Sequence, residues 1–168
     1  MGIISGAGIN QVDLVDLLQL MNTKFTALCA KLDDDSVVSA TDYESGLALT
    51  FPKTITECGV SQGEILSFLD SWIASFNTLI GKLDDDAGVG IDDNYESTLA
   101  ITDIINASGN PAKGLYNCGV RQGNLVDLLQ TIVTNYNALL TKLDADPLGD
   151  SNYASTLAIT DTINDTGC

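Results

Sequence analysis

The residues that could most readily do chemistry are carboxylates, which follow the apolar segments in runs. Asp33-Asp34-Asp35 and Asp84-Asp85-Asp86 are two such runs, and Asp144 with Asp146 forms a third cluster. Clustered carboxylates can bind calcium, and a spaced pair can act as the acid and base of a glycoside hydrolase. The runs do not match the EF-hand register, and no acidic pair lies in an evident apolar pocket. We interpret them as solvated turn residues that bind no metal, with a weak surface cation as the alternative.

Nucleophilic chemistry has little support. The chain has no histidine, which excludes the usual Ser-His and Cys-His arrangements. Cys29 lies in an apolar helical stripe, Cys58 and Cys118 occupy equivalent small positions, and Cys168 is terminal, so the spacing indicates no zinc site. The segment 2–8 contains glycines without phosphate-binding spacing, and we interpret it as a flexible or extended arm. We therefore expect no catalytic, cofactor-binding or metal site, and no enzyme.

Charge is the strongest compositional bias. There are 23 acidic and 7 basic residues, and the net charge is −16. Such a surface is repelled by nucleic-acid phosphates and by anionic lipid, so we expect neither nucleic acid nor membrane as a partner. No apolar stretch reaches the roughly 18 residues of a membrane span, and the first residues lack the basic region of a secretory signal. We expect a soluble protein made in a cytoplasm.

The elements that carry these residues are repeated three times. Segments 8–33, 59–84 and 119–144 align without a gap, and each ends in Leu-x-x-Lys-Leu-Asp. Internal duplication accounts for this pattern. We divide the chain into repeat 1 with an N-terminal arm, repeat 2 with a linker, and repeat 3, packed as one compact domain. Their bounds are 1–57, 58–117 and 118–168.

A second block follows each acidic segment and begins near Tyr43, Tyr95 and Tyr153. The last two copies, from the Asn before the Tyr to the Asp after Ile-Thr, differ only where Glu96 is replaced by Ala154. Acidic residues near its start favour a short helix, while the alternating apolar residues would also allow a short strand. We favour the short helix.

The first block of each repeat has the pattern of a long amphipathic helix. Apolar residues alternate in spacings of four and three over about three heptads, and a partial second stripe, for example Ile73 and Ile80, widens the face enough for three or more helices. The heptad-stripe residues are our packing and interface candidates: Leu14, Leu18, Met21, Phe25, Leu28, Leu32, Ile65, Leu69, Trp72, Phe76, Leu79, Leu83, Leu125, Leu129, Ile132, Tyr136, Leu139 and Leu143.

The predicted fold is mainly α: three repeats, each a long heptad helix, an acidic turn and a short helix, packed as a helical bundle. Parallel packing around a pseudo-threefold axis and an up-down arrangement are both compatible with the linkers. The heptad face could be buried within the chain or between chains of a homotrimer.

Residues 137–146, ending in Leu-Leu-Thr-Lys-Leu-Asp-Ala-Asp, and 152–158, containing Tyr-Ala-Ser-Thr-Leu, resemble a repeat of tailed-bacteriophage structural proteins. The likeness extends over most of all three repeats. The first copy departs from it at Gly46 and at residues 36–38, so its loop is expected to pack differently. The resemblance implies a virion component in head decoration, a neck or vertex fibre, or the tail.

The expected function is therefore a non-enzymatic structural protein of a virion, in contact with other capsid, neck or tail proteins and with itself. One alternative is a cellular helical-repeat scaffold that binds a basic partner. A second alternative is an acid–base enzyme of the glycoside hydrolase type, which would need a carboxylate pair in an apolar pocket.

Overall fold

Three long and three short helices form most of the protein. The computed structural model describes residues 3–5, 11–38, 42–52, 62–86, 89, 94–102, 122–146 and 152–164. The predicted repeat limits, after residues 57 and 117, lie outside these ranges. The long helices are α1 (Gln11–Asp34), α3 (Gln62–Asp85) and α5 (Gln122–Ala145), and the short ones are α2 (Tyr43–Leu47), α4 (Tyr95–Leu99) and α6 (Tyr153–Leu157). The protein is mainly α, as the sequence predicts.

The heptad stripes explain the long helices. Each helix has 24 residues, which corresponds to about 36 Å at 1.5 Å per residue. All the heptad-stripe residues named above are buried, and none is more than 7% exposed. Burial of a continuous apolar face, rather than local helix propensity, supplies most of the stability of such a helix.

The three long helices run parallel, because their C-terminal ends meet. The N–H of Tyr43 donates to Asp33 at the end of α1, and the hydroxyl of Tyr43 donates to Asp86 just beyond α3. Tyr153 follows α5, and its hydroxyl donates to Asp35 just beyond α1. One end of the bundle therefore gathers the C-termini of all three helices.

Aromatic side chains fill the middle of the bundle. The ring centroid of Trp72 lies 5.4 Å from that of Phe25 and 6.1 Å from that of Tyr136, so this indole contacts both other long helices. Phe76 stacks on the same indole at 5.3 Å. Buried aromatic rings contribute both a large apolar area and preferred ring geometries, and this cluster joins the three heptad faces into one core.

The short helices connect the three long helices into a closed ring. Each one contacts its own long helix and the long helix of the next repeat: α2 lies against α1 and α3, α4 against α3 and α5, and α6 against α5 and α1. The Tyr and Leu at the two ends of each short helix are buried. The order of contacts is cyclic, so the heptad faces are buried within one chain in a pseudo-threefold arrangement.

A pair of short strands joins the first and last described segments of the chain, and no pattern in the sequence predicts it. Strand β1 (Ile3–Ser5) pairs in parallel with β2 (Thr162–Asn164), with Ile4 opposite Ile163. β1 belongs to the segment predicted as a flexible or extended arm. The pairing connects the start of repeat 1 to the end of repeat 3, the one junction of the ring that no linker spans.

We expect Leu79→Ala to lower the free energy of unfolding by about 2–5 kcal/mol, since it opens a cavity at a fully buried position. The neighbouring exposed residue provides the control: Thr78→Ala should change the stability by less than about 0.5 kcal/mol. Urea denaturation followed by circular dichroism measures both. Equal costs for the two variants would contradict the burial of this stripe.

Candidate functional site at the repeat junctions

The carboxylate that ends each Leu-x-x-Lys-Leu-Asp motif holds the start of the next short helix. Asp33 accepts hydrogen bonds from the backbone N–H groups of Tyr43 and Glu44, at 2.8 and 2.9 Å. Asp84 accepts from Tyr95 and Glu96 at 2.7 and 2.8 Å. Each carboxylate uses both oxygens, one for each N–H.

The third repeat has the same arrangement. Asp144 accepts from the N–H groups of Tyr153 and Ala154 at 2.6 and 3.0 Å. The first N–H groups of a helix have no partner within it and carry partial positive charge. A carboxylate from the preceding long helix satisfies them in all three repeats.

These bonds correct the interpretation of Asp33 and Asp84 as solvated turn residues, while Asp35 does lie in the turn and accepts the N–H of Val37. A carboxylate near a helix C-terminus is disfavoured by the helix dipole, yet Asp33 and Asp84 lie within the last turns of α1 and α3. Each one bonds to the positive end of the following helix, which offsets that cost. The residues that precede the short helices, Asp42 and Asn94, make no side-chain capping bond, because the distant Asp takes that role.

We call the tyrosines that begin the three short helices, Tyr43, Tyr95 and Tyr153, the junction tyrosines. A lysine from the next repeat in the ring lies over each of them. Lys82 Nζ lies 4.9 Å from the centre of the Tyr43 ring, and Lys142 Nζ lies 4.3 Å from the Tyr95 ring. Lys31 Nζ lies 4.5 Å from the centre of the Tyr153 ring, so the same contact is made in all three repeats. Cations in this position are attracted by the negative face of the ring.

Each lysine also bonds to the residue just before the tyrosine. Lys82 forms an ion pair with Asp42, Lys142 donates to the side-chain oxygen of Asn94, and Lys31 donates to that of Asn152 at 2.7 Å. The repeated lysine thus anchors its own long helix to the short helix of the preceding repeat.

Two of the junction tyrosines also donate to a buried carboxylate. The hydroxyl of Tyr43 lies 3.1 Å from Asp86, and that of Tyr153 lies 3.0 Å from Asp35. Asp35 and Asp86 are only 7% and 5% exposed, so the prediction that they are solvated was wrong. A buried carboxylate requires hydrogen-bond donors to offset its desolvation, and the neighbouring repeat supplies one.

The middle junction lacks this bond. Within the described part of the chain, the hydroxyl of Tyr95 is buried and has no hydrogen-bond partner. The three junctions therefore share the carboxylate cap and the lysine but differ at the tyrosine hydroxyl.

A second contact, absent from the sequence prediction, holds the segment after two of the short helices. Asn77 donates to the carbonyl of Ile101 and accepts from its N–H, at 2.9 and 3.0 Å. Asn137 forms the same pair with Ile159, at 2.8 and 3.0 Å. Repeat 1 has Thr26 at the equivalent position. We call this pair of bonds the Asn clamp. Its only sequence signal is a tripeptide that repeats 2 and 3 share, Asn followed by Thr or Ala and then by Leu.

Metal-ligand clusters and cysteine thiols bear on what chemistry the junctions could support. Among the residues that the structure describes, no group of three or more Asp, Glu, Cys or His side chains could hold a metal ion. Cys29 is buried. Its burial, together with the smaller effect of the negative charges of Asp33 and Glu44, raises the pKa of its thiol to about 12. Such a thiol forms little thiolate and is a poor nucleophile. Cys58, Cys118 and Cys168 lie outside the described residues.

Comparisons with protein-family models, with curated proteins and with solved structures give no match. Within the described ranges, no helix is both long enough and apolar enough to span a bilayer.

The unequal junctions give a matched pair of variants. We expect Tyr43→Phe to lower the free energy of unfolding by about 1–3 kcal/mol, because the buried Asp86 loses a hydrogen-bond donor. Tyr95→Phe removes a hydroxyl that bonds to no described residue and should change the stability by less than about 0.5 kcal/mol. Urea denaturation of both variants tests this difference, and an equal loss would contradict it.

Alkaline pH should destabilise the fold. Burial raises the pKa of Tyr136, and burial together with the charge of Asp86 raises the pKa of Tyr43. In the unfolded chain both hydroxyls ionise near pH 10. Because the folded state keeps its protons longer, the stability that these groups contribute is present below about pH 10 and is lost as the pH rises further.

Urea denaturation between about pH 8 and 11 measures this loss. Tyr136→Phe should give a shallower decline than the unsubstituted protein, because one shifted group is removed. The absorbance of tyrosinate separates this effect from lysine deprotonation. An identical slope for the variant would contradict the assignment of Tyr136.

Proposed function

We propose that this protein is a non-enzymatic structural component of a bacteriophage virion, which assembles into or decorates the particle by packing against other proteins. The observation that carries the proposal is the part played by the motif that resembles phage structural repeats. Its Lys and Tyr join one repeat to the next, and its Asp joins the long and the short helix within each repeat.

The third repeat illustrates this role. Lys142 lies over Tyr95, Asp144 caps α6, and the ring of Tyr153 is fully buried beneath Lys31. The threonine of the motif, Thr156, donates to the carbonyl of Asn152 at 2.6 Å. The motif is thus used for packing and capping. A motif of this kind supports a role in building a stable body.

The charge supports a position away from nucleic acid. Three of the seven basic residues, Lys31, Lys82 and Lys142, are engaged at the junctions, while carboxylates such as Asp34, Asp85 and Glu96 are exposed. A surface of this kind releases no counterions from DNA and is repelled by it. The proposal therefore places the protein on an outer or connecting part of the particle rather than against packaged DNA.

Quantitative mass spectrometry of gradient-purified particles from the phage that encodes this chain tests the proposal. We expect the protein at a fixed copy number relative to the major capsid protein, and in constant ratio across the particle peak. Abundant host proteins provide the control, because carried-over material does not follow that peak. Absence from the particles, or copurification from cell extract with a basic partner alone, would overturn the virion role.

A further inference from the structure

Exposed carboxylates are distributed unequally around the ring. Repeats 1 and 2 carry most of them, and repeat 3 carries only one among the residues described. They are Asp16, Asp34, Asp42 and Glu44 in repeat 1, Asp70, Asp85 and Glu96 in repeat 2, and Asp127 in repeat 3.

The difference arises at positions that the repeats share. At three sets of equivalent positions, repeats 1 and 2 have an acid and repeat 3 has an uncharged residue: Asp13, Glu64 and Asn124; Asp34, Asp85 and Ala145; Glu44, Glu96 and Ala154. The helices that carry them have the same length in every repeat, and they begin and end at equivalent positions. Packing of the repeat therefore tolerates an acid at these places, and the fold does not require the loss of charge.

The uncharged residues lie together on the outside of α5 and α6. We call this surface the repeat-3 face and define it by Asn124, Gln130, Thr134, Thr141, Ala145 and Ala154. All but the half-buried Ala154 are exposed. Its centre is the ridge of Gln130 and Thr134, which borders two shallow grooves of about 260 and 320 Å³.

The grooves are lined mainly by uncharged polar groups. One lies between the ridge and the segment that follows α6, where Asn137, Thr160 and the half-buried Asp161 contribute to its wall. The other lies on the opposite side and includes Asn135 and Asp127. Grooves on both sides of a ridge allow a second ridge to pack beside the first, as in helix–helix packing.

We propose that the repeat-3 face is an interface between two copies of this chain, related by a twofold axis. Two molecules of charge −16 repel each other, and contact through repeats 1 or 2 would bring like charges together. Contact through the repeat-3 face brings together mostly amide, hydroxyl and methyl groups. Isologous contact of this kind is the commonest form of protein self-association.

The available area fits a weak, reversible dimer. The 24 residues of α5 span about 36 Å at a width of about 10 Å, and the five residues of α6 add a patch of about 8 by 10 Å, which gives about 450 Å² per copy. A standard interface buries about 800 Å² per partner, and smaller ones are typical of transient contacts. Because the proposal concerns self-association alone, it does not depend on a virion role.

Sedimentation velocity over a wide range of protein concentrations tests the proposal on the full chain. We expect a reversible monomer–dimer equilibrium that shifts toward dimer as salt screens the remaining repulsion. A protein that stays monomeric at millimolar concentration in moderate salt would overturn it.

Equivalent positions provide a matched pair of variants. Thr134→Glu adds a charge to the ridge, and Ala74→Glu adds the same charge at the equivalent exposed position of repeat 2. We expect roughly tenfold or more weaker dimerisation for Thr134→Glu and little change for Ala74→Glu, since only the first places like charges in contact. Equal effects of the two variants, or a larger effect of Ala74→Glu, would overturn the assignment of the face.

Asp127, the exposed carboxylate that lines one of the two grooves beside the ridge, gives a test in the opposite direction. Asp127→Asn should strengthen the dimer, and Asp16→Asn, the equivalent change in repeat 1, should do so much less. Thermal denaturation of all four variants provides the folding control. If both aspartate variants strengthen association equally, net charge rather than this surface governs it, and the proposal fails.

Discussion

The rest of the structure depends on a carboxylate that holds two backbone N–H groups of the following short helix. Asp33, Asp84 and Asp144 each do this across a variable acidic loop. The bond fixes the point at which the chain turns, and it therefore fixes where the tyrosine ring enters the core. Once the ring is in place, the lysine of the next repeat lies over it. The order of the repeats around the axis follows from that contact.

The cyclic contacts decide how the heptad faces are buried. A heptad stripe is equally compatible with a rod of several chains and with a compact body of one chain. Here each long helix finds two partners within its own chain, and the strand pair β1 and β2 joins the ends of the ring. The first repeat was expected to pack differently after α1. Val38 is nevertheless buried there as Val89 is in repeat 2, and one difference is at Gly46, which lacks the hydroxyl that Thr98 donates to the carbonyl of Asn94.

The inner and outer residues of the repeats differ in a way that supports the proposed function. The Lys, Asp and Tyr of the junctions are shared by all repeats, because each contributes to packing that the ring requires three times. Residues on the outside differ more, and repeat 3 has uncharged residues at places where repeats 1 and 2 have acids. The three segments thus form a body with three similar inner surfaces and three dissimilar outer ones. A structural protein needs this combination when one surface makes a contact and the others remain solvated.

The sequence predicts the helical class, the three repeats and the buried stripe, since apolar residues such as Leu28, Leu79 and Leu139 recur at a spacing that only a helix places on one face. It could not determine the parallel direction of the long helices, the clamp of Asn77 on Ile101, or the partners of Asp35 and Asp86. These features depend on contacts between residues far apart in the chain, and local periodicity carries no information about them. An aspartate in an acidic run looks the same in sequence whether it faces water or a tyrosine hydroxyl of another repeat. Only the tertiary structure distinguishes the two, because burial is a property of the whole packed ring.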